Sequence, residues 1–363
     1  MHFFAFKFTY TAREGRCIRV EFRRLSPPRP GASVSDVGRM KNFFKGMLAG
    51  GAAGVAAMAA VNAAVARDVP EPETGALGGE AGTYAWKHGQ IFYRHAGRED
   101  APAVLFVHGI GAGTRSFMWR RNFEPLAHDF RVYAVDLLGF GYSDKPAGAP
   151  YSSDLYAELI SDFLREVVAR PASVVAHSLS AAFAVRVADE QPELINSLVL
   201  VSPTGADNFS ARPGMTGAAF YGLLHSPVLG TSFYNAVTSE RGIRDYAREQ
   251  LFHEKRFATP RLLAHYYAVS HLPGAQHAAT AFFSGYLNTD IREPFARLRQ
   301  SITLAWGRQD TTNPIEQAGL LLRLNPRARL EVFDRCRMMP QEEHAERFNA
   351  LLREAFHLRI APG

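Results

Sequence analysis

Cysteine is almost absent from this sequence, which has Cys17 and Cys336 as its two cysteines in 363 residues. Two cysteines can neither form a disulfide framework nor supply the clustered ligands of a structural zinc site. A hydrophobic content of 47% is instead enough for one large or two ordinary hydrophobic cores. We therefore predict a globular fold stabilised by its core, and we expect no metal and no other cofactor.

The main body of the chain also lacks a surplus of positive charge, although the whole sequence has a formal net charge of +6. Residues 1–45 contain 10 Lys and Arg against 3 Asp and Glu, which leaves 31 against 32 in the remainder. A near-neutral body gives no electrostatic support for nucleic-acid binding. We predict a basic, unstructured extension at residues 1–45 and no nucleic-acid partner.

Residues 46–66 carry no charge, but they consist mainly of Ala and Gly and are only weakly apolar. The segment reaches the length of about 20 residues that a membrane span needs. Three interpretations remain open. It is an export signal that starts at Met40 and is cleaved after Ala66, a retained membrane anchor whose glycines form a close-packing face, or an Ala-rich helix of a cytoplasmic protein. The first two predict export or membrane association through this segment.

Predicted strands and helices alternate after a linker rich in Pro, Glu and Gly at residues 67–83. The strands are Gln90–His95, Ala103–Val107, Arg131–Leu138, a segment that begins at Ala172, Ile195–Ser202, Ser301–Trp306 and Arg329–Phe333; the helices are Ser116–Leu126, Ser153–Val168, Pro314–Leu324 and Pro340–His357. Such alternation predicts an α/β fold with a parallel sheet that helices cover on both faces.

The segment Ala172–Ala184 has the pattern of a short strand, an abrupt turn centred on Ser178, and a small-residue helix. A strand-to-helix turn projects a serine hydroxyl away from its neighbours, which suits a nucleophile, and it requires small residues two positions before and after. Ala176 and Ser180 meet this requirement, although the usual G-x-S-x-G pattern has glycine at both positions. The alternative is that Ser178 only caps an ordinary helix.

A glycine-rich loop at residues 108–113 follows the predicted strand Ala103–Val107. Glycines leave the neighbouring backbone N–H groups unhindered, so this loop is suited to hold a developing oxyanion through the N–H of Ile110. The alternative is a tight turn that only leads into the next helix.

The alternation of strands and helices stops at residues 204–290, where the pattern is helical and rich in Phe and Tyr. Most of these rings are expected to form the core of the insert itself. Because the insert follows the strand after Ser178, it is also expected to lie across the carboxyl ends of the strands, where α/β sheets bind ligands. The sequence therefore predicts a helical cap over an apolar pocket.

Five segments, in this order along the chain, resemble the α/β-hydrolase fold family, specifically its lid-bearing esterase, perhydrolase and epoxide-hydrolase-like branch. They are VLFVHGIGAG, VYAVDLLGFGYSDKP, VVAHSLSAAFA, LAWGRQD and PQEEHAERFNALLREAF. The resemblance covers residues 84–358. It implies a mostly parallel eight-stranded sheet, with the hydrolase core at residues 84–203 and 291–358 and the cap at residues 204–290.

The resemblance also implies a role for four residues. Ser178 matches the nucleophile and Asp310 the acid of the catalytic triad. The N–H groups of Ile110 and Leu179 match the two oxyanion donors. A serine at position 178 argues against dehalogenase and epoxide-hydrolase chemistry, because those reactions need a carboxylate there. An alternative role for Asp310 is to cap the helix that follows it.

The triad histidine is missing from its expected position, which Met338 occupies when Pro340 is aligned with the start of the last helix of the family. A thioether cannot remove a proton from Ser178 at neutral pH, so the resemblance implies a degenerate triad. His344 on the last helix and His271 and His277 in the insert are the possible substitutes. His177 adjoins Ser178, but the family commonly has a histidine there that is not the base.

Three functions agree with this pattern. The first is a serine hydrolase that acts on a carboxylic ester or related apolar acyl compound, through a replacement base or at a reduced rate. The second is a non-catalytic protein that binds an apolar ligand under the cap. The third is a membrane-tethered interaction module, which rests on residues 46–66 alone.

Overall fold

The computed structural model describes residues 51, 54–67, 69–72, 77–207 and 209–357. Its eight strands are β1 (Glu80–Trp86), β2 (Gly89–Ala96), β3 (Ala103–Val107), β4 (Arg131–Val135), β5 (Ala172–His177), β6 (Ile195–Val201), β7 (Ser301–Gly307) and β8 (Arg329–Phe333). They form one sheet in the order β1-β2-β4-β3-β5-β6-β7-β8. β1 and β4 each pair with β2 in the antiparallel sense, and all other pairs are parallel. The predicted α/β class and mostly parallel eight-stranded sheet are thus confirmed.

The central strands are buried on both faces of the sheet. Successive residues of a strand point to opposite faces. In β3, Leu105 and Val107 belong to one hydrophobic cluster, whereas Val104 and Phe106 belong to another, and all four are fully buried. This double burial explains why the central strands appear in the sequence as continuous apolar runs.

Twelve α-helices follow β3 in the described part of the chain. They are α1 (Phe123–Ala127), α2 (Ser153–Phe163), α3 (Leu179–Glu190), α4 (Met215–Leu224), α5 (Leu229–Val237), α6 (Glu240–Tyr246), α7 (Pro260–Ser270), α8 (Gln276–Phe283), α9 (Arg292–Arg297), α10 (Glu316–Leu324), α11 (Pro340–Glu343) and α12 (Ala345–His357). α2 and α3 pack in the first cluster and α12 packs in the second, so helices cover both faces.

Helices α4 to α8 lie between β6 and β7 and form an insert over the carboxyl ends of the strands. A Cβ atom on Gly113 would lie 2.4 Å from the carbonyl oxygen of Tyr266 in α7, and Gly113 has φ 75°. A Cβ atom on Gly139 would lie 2.5 Å from the Cβ atom of Ala278 in α8. Glycine is therefore needed at both positions for the insert to approach the loops that follow β3 and β4 this closely.

Two predicted helices are interrupted. The segment Ser116–Leu126 consists of a 3₁₀ turn at Ser116–Trp119 followed by α1. The terminal helix is divided at His344, which has φ −129° and ψ 46°. Side chains near the first break bond to the two helices on either side of the second. The Asn122 side chain donates to the Asn349 side chain, and the Arg120 guanidinium pairs with Glu342. These tertiary contacts override the helical periodicity of the sequence.

The amino-terminal part of the described chain contains a helical segment at residues 54–67 and the strand β1. β1 begins at Glu80, so the linker predicted for residues 67–83 is too long at its carboxyl end. No helix in the described ranges is both long enough and apolar enough to cross a membrane. The predicted extension at residues 1–45 and the first part of the segment 46–66 lie outside the described residues.

Candidate active site

Ser178 lies at the junction between β5 and α3 in a strained backbone conformation. Its φ of 54° and ψ of −122° are rare for a residue with a side chain, and its hydroxyl forms no capping bond to α3. Instead, its backbone N–H donates to the Val201 carbonyl at the end of β6, over 2.8 Å. Ser178 thus occupies the N-cap position of α3 without capping the helix through its side chain. A backbone strain of this kind costs about 1–3 kcal/mol and is typical of functional positions.

The small residues on either side of Ser178 have distinct roles in this turn. Ala176 and Ser180 are both fully buried, so a large side chain would not fit at either position. The Ser180 hydroxyl donates to the carbonyl oxygen of His108 over 2.7 Å. This bond joins the first turn of α3 to the glycine-rich loop. Ile110 and Leu179 lie on the two segments that it joins, which is where an oxyanion hole requires its donors.

Asp310 follows β7 and is 4% exposed. Its Oδ1 atom accepts the backbone N–H groups of Thr312 and Asn313, each over 2.9 Å. Burial raises the pKa of this carboxyl to about 6, and the N–H bond from Asn313, the nearby Ser202 hydroxyl and the N–H bond from Thr312 offset only part of that rise. The Asp310 side chain therefore stabilises the turn that follows β7 and is largely removed from water at the edge of the sheet.

Asn313 connects the Asp310 loop to the loop after β6. Its side-chain Nδ2 donates to the Ser202 carbonyl over 3.0 Å, and its own carbonyl accepts the indole N–H of Trp306 over 2.8 Å. Ser202 directly follows Val201, the residue that accepts the Ser178 N–H. The sequence analysis missed Asn313 and Ser202, although an Asn three residues after an Asp in a turn is a usable signal.

Met338 lies after β8 and contacts the residue that precedes Ser178. The His177 ring donates from Nε2 to the Met338 carbonyl over 2.9 Å. Burial lowers the pKa of His177 to about 4, so its ring is neutral, with the unprotonated Nδ1 facing Gly109. The Met338 side chain is 4% exposed and belongs to a hydrophobic cluster. The structure therefore brings the loops of Ser178, Asp310 and Met338 to the same edge of the sheet.

The other three histidines considered as bases contact residues other than Ser178 and Asp310. The ring of His271 bonds to the Tyr267 carbonyl and the Thr238 hydroxyl within the insert. His277 lies beside His225, with ring centroids 6.3 Å apart, and His344 packs on the ring of Phe333. His344 also lies at the break between α11 and α12 instead of on a helix. Within the described ranges, none of the three hydrogen-bonds to Ser178 or Asp310.

A family model described as the α/β-hydrolase fold matches residues 102–345, which is more than half of the chain. The chain belongs to the α/β-hydrolase family. The match includes the loop of Ile110, the Ser178 turn, the Asp310 loop and Met338.

Several curated proteins are similar to this α/β-hydrolase over its folded part. A 2-hydroxymuconate semialdehyde hydrolase of Pseudomonas putida is 29% identical over 265 residues, which is 71% of this chain and 88% of that protein. A dihydrolipoyllysine-residue acetyltransferase component of an acetoin cleaving system from Cupriavidus necator is 29% identical over 259 residues, which is 70% of this chain. The chain spans 63% of the length of that second relative.

Solved structures give the same fold. A meta-cleavage product hydrolase from Pseudomonas fluorescens superimposes with a TM-score of 0.63 at 24% identity and covers 76% of this chain and 97% of its own. A membrane phospholipase A superimposes with a TM-score of 0.60 at 21% identity and covers 88% of this chain and 97% of its own. At these identities the likeness shows the fold alone.

Proposed function

We propose that this α/β-hydrolase acts on a carboxylic ester or a related apolar acyl substrate with Ser178 as its nucleophile. The observation that carries the proposal is the strained backbone of Ser178, whose hydroxyl forms no capping bond. Strain at a residue whose hydroxyl does not cap the helix is explained when that hydroxyl has a chemical role.

In the proposed reaction, the Ser178 oxygen attacks the acyl carbon, and its proton passes to a water molecule, from which the departing alkoxide later takes it. The carbonyl oxygen gains negative charge and accepts the N–H groups of Ile110 and Leu179. Collapse of this intermediate expels the alcohol and leaves an acyl-enzyme, which water then hydrolyses. Asp310 would orient and stabilise a base at position 338, as the acid of a triad does.

Met338 provides no such base, and we therefore propose that the wild-type protein reacts slowly. Its thioether takes no proton at neutral pH. The remaining contributions are the oxyanion donors and the binding of substrate, and in well-studied serine proteases these alone give about 10³–10⁴ over the reaction in water. A measurable but low activity is the expected result.

The apolar substrate class is supported by the rings of the insert. Phe209 stacks on Phe282 and Tyr221 contacts Tyr286, with centroids 5.8 Å and 4.7 Å apart. The Pseudomonas putida relative is named as a hydrolase of 2-hydroxymuconate semialdehyde. That semialdehyde is therefore a second compound to assay beside esters.

Covalent labelling tests the nucleophile. The purified protein is incubated with a serine-directed fluorophosphonate, and the modified peptide is identified by mass spectrometry. We expect slow modification of Ser178 and none in Ser178→Ala. Modification at another serine with Ser178 unmodified would contradict the proposal.

A non-catalytic ligand-binding function is the second candidate, and Met338 is the observation that favours it. Under this alternative, the protein binds apolar acyl compounds but neither labels at Ser178 nor releases product from an aryl ester. The labelling experiment therefore separates the two functions.

We also propose that the basic residues 1–45, followed by the uncharged residues 46–66, associate the protein with a membrane. The charge pattern supports this, because Lys and Arg before an apolar segment are attracted to anionic lipid. Recovery of the chain in the soluble fraction of lysed cells, with none in the membrane fraction, would contradict it.

A further inference from the structure

Helix α4 of the cap presents an apolar face to solvent. The exposed residues of this face are Met215, Ala218, Ala219, Gly222 and Leu223. They follow the spacing i, i+3, i+4, i+7 and i+8, which places them on one side of the helix. Met215 is 91% exposed and Leu223 is 42% exposed. A surface helix normally carries charged and polar residues on the side that faces water, so α4 departs from the ordinary pattern.

The side of α4 that faces the protein is also apolar. Leu224 is buried, and the Tyr221 ring contacts that of Tyr286, with centroids 4.7 Å apart. The Phe220 ring contacts that of Phe233 in α5, with centroids 6.1 Å apart. A helix that is apolar on all sides is usually buried, either in a protein core or in a membrane. The inner side of α4 has its partners within the cap, whereas its outer side is left exposed in the described part of the chain.

Helix α5 connects α4 to the helical segment at residues 55–67. On the side of that segment, the Asn62 side chain donates to the Val228 carbonyl over 3.2 Å and accepts the Asn235 side-chain amide over 3.1 Å. On the side of α4, a Cβ atom on Gly230 would overlap the carbonyl oxygen of Leu224, so α4 and α5 meet closely. The segment and α4 are therefore the two neighbours of one cap helix.

Both neighbours of α5 are exposed and free of charge. The sequence has no Asp, Glu, Lys or Arg at residues 46–66 or at residues 213–239. In the described ranges, seven large apolar side chains are exposed, and six of them lie in these two stretches. They are Val55, Val61, Met215, Phe220, Leu223 and Val237. Single exposed apolar residues are ordinary on a protein surface, but their concentration in one uncharged region is typical of an interaction site.

The charge of the preceding sequence favours lipid over a second copy of the chain as the partner of this region. The uncharged run starts at residue 46, and residues 1–45 contain 10 Lys and Arg against 3 Asp and Glu. An anionic bilayer suits this combination, because its headgroups attract the cations and its acyl boundary accepts the apolar side chains. Two copies that met through the same region would instead bring two basic segments together, and like charges repel.

We propose that the outer side of α4 and the exposed residues of the segment 55–66 form one surface that docks on an anionic lipid bilayer. The inference rests on the proposed membrane association, which it extends from the amino-terminal segment to the cap. Contact through two separate elements holds the folded part of the protein in one orientation on the membrane, with its cap toward the lipid.

A fluorescent reporter on α4 tests the contact with lipid directly. The full chain is used with Cys17→Ser, because the other native cysteine, Cys336, is buried. Ala219→Cys on α4 and Ala350→Cys on α12 form a matched pair, since both alanines are exposed on helices. Each variant is labelled with an environment-sensitive fluorophore and mixed with vesicles of phosphatidylethanolamine and phosphatidylglycerol. We expect a blue shift and quenching by brominated lipid at position 219 and neither at position 350.

Charge substitutions test whether the contact contributes to binding. Ala219→Glu should weaken partition of the full chain into these vesicles about fivefold, because a carboxylate at the surface of an anionic bilayer is repelled. Leu223→Glu, which also removes a large apolar side chain, should weaken it at least about tenfold. Ala350→Glu adds the same charge far from the proposed surface and should leave partition unchanged. Unchanged partition in both α4 variants, with urea unfolding like that of wild type, overturns the inference.

The same measurements separate this inference from the membrane association on which it rests. A wild-type chain that does not bind the vesicles rejects both. Vesicle binding with no lipid signal at position 219 keeps the association through the amino-terminal segment and overturns the docking of α4. Analytical ultracentrifugation without lipid covers the remaining partner. Dimers that Leu223→Glu dissociates, together with no lipid signal at position 219, would assign the surface to a second copy and overturn the inference.

Discussion

At the scale of single residues, Ser178 and Asp310 are both held in states that cost folding free energy. Ser178 has a positive φ, and Asp310 is a carboxyl group almost completely removed from water. Backbone strain and buried carboxyl groups of this kind are often found at functional sites.

Asp310→Asn is expected to stabilise the protein at alkaline pH. The folded pKa of about 6 lies above the usual value of about 3.9, so the fold favours the protonated form. That contribution to stability is present below pH about 4 and is lost as the pH rises through about 6. At pH 8 the ionised carboxylate costs up to about 3 kcal/mol, which Asn avoids while its Oδ1 still accepts the turn N–H groups.

The free energy of unfolding of both proteins, measured by urea titration from pH 4 to pH 8, checks this expectation. The advantage of Asp310→Asn should appear only as the pH rises. Asp207→Asn, at an exposed position, is the control and should show no such gain. Parallel stability profiles for Asp310→Asn and wild type would mean that Asp310 is not desolvated.

At the scale of elements, the glycine-rich loop and the Ser178 turn are packed directly against each other. A Cβ atom on Gly109 would lie 2.4 Å from Nδ1 of His177. The His177 ring has little freedom to move, because it is buried and bonded to the Met338 carbonyl. The position of the glycine-rich loop therefore depends on the residue that precedes Ser178.

Gly109→Ala is expected to destabilise the protein by about 1–3 kcal/mol, as overpacking of a buried site usually does. It should also slow labelling of Ser178, since the loop of Ile110 must shift. Gly148→Ala is the matched control, because nothing lies within 4 Å of a Cβ atom there, and its effect should stay within about 0.5 kcal/mol. Thermal and urea unfolding measure both variants. Equal stability of the two would contradict the packing described here.

The sequence predicted most elements of the core, because buried parallel strands give continuous apolar runs. The strand Arg329–Phe333 has the predicted bounds, and Ile195–Val201 differs by one residue. The breaks near Trp119 and His344 could not be predicted in this way. They depend on contacts of Asn122 and Glu342 with segments distant in sequence, which periodicity does not record.

At the scale of the whole molecule, motif order was sufficient to predict the family, and the sheet order explains why. Consecutive loops at the carboxyl edge carry the motifs, so residues far apart in sequence meet there. The hydrogen bonds of Asn62 to Val228, Ser232 and Asn235 could not be predicted, because Asn62 lies in an Ala-rich segment whose composition gives no sign of these partners.

The central claim is that the nucleophile, the oxyanion donors and the acid are in place and only the base is missing. Arg337 is best kept in the test, because its side chain bonds to the carbonyls of Arg248 and Glu249 in the cap. A histidine at position 338 would follow the residue whose side chain is already bonded to the cap. Met338→His alone is thus the least disruptive way to supply the base.

The rate of Ser178 labelling by a fluorophosphonate in Met338→His, relative to wild type, tests this claim most directly. General-base catalysis contributes about 10²–10⁴ in rate. We expect a gain of that order, which disappears when Ser178→Ala is added. Rapid labelling of the wild type with no gain from Met338→His would contradict the account, because another group would then already act as the base.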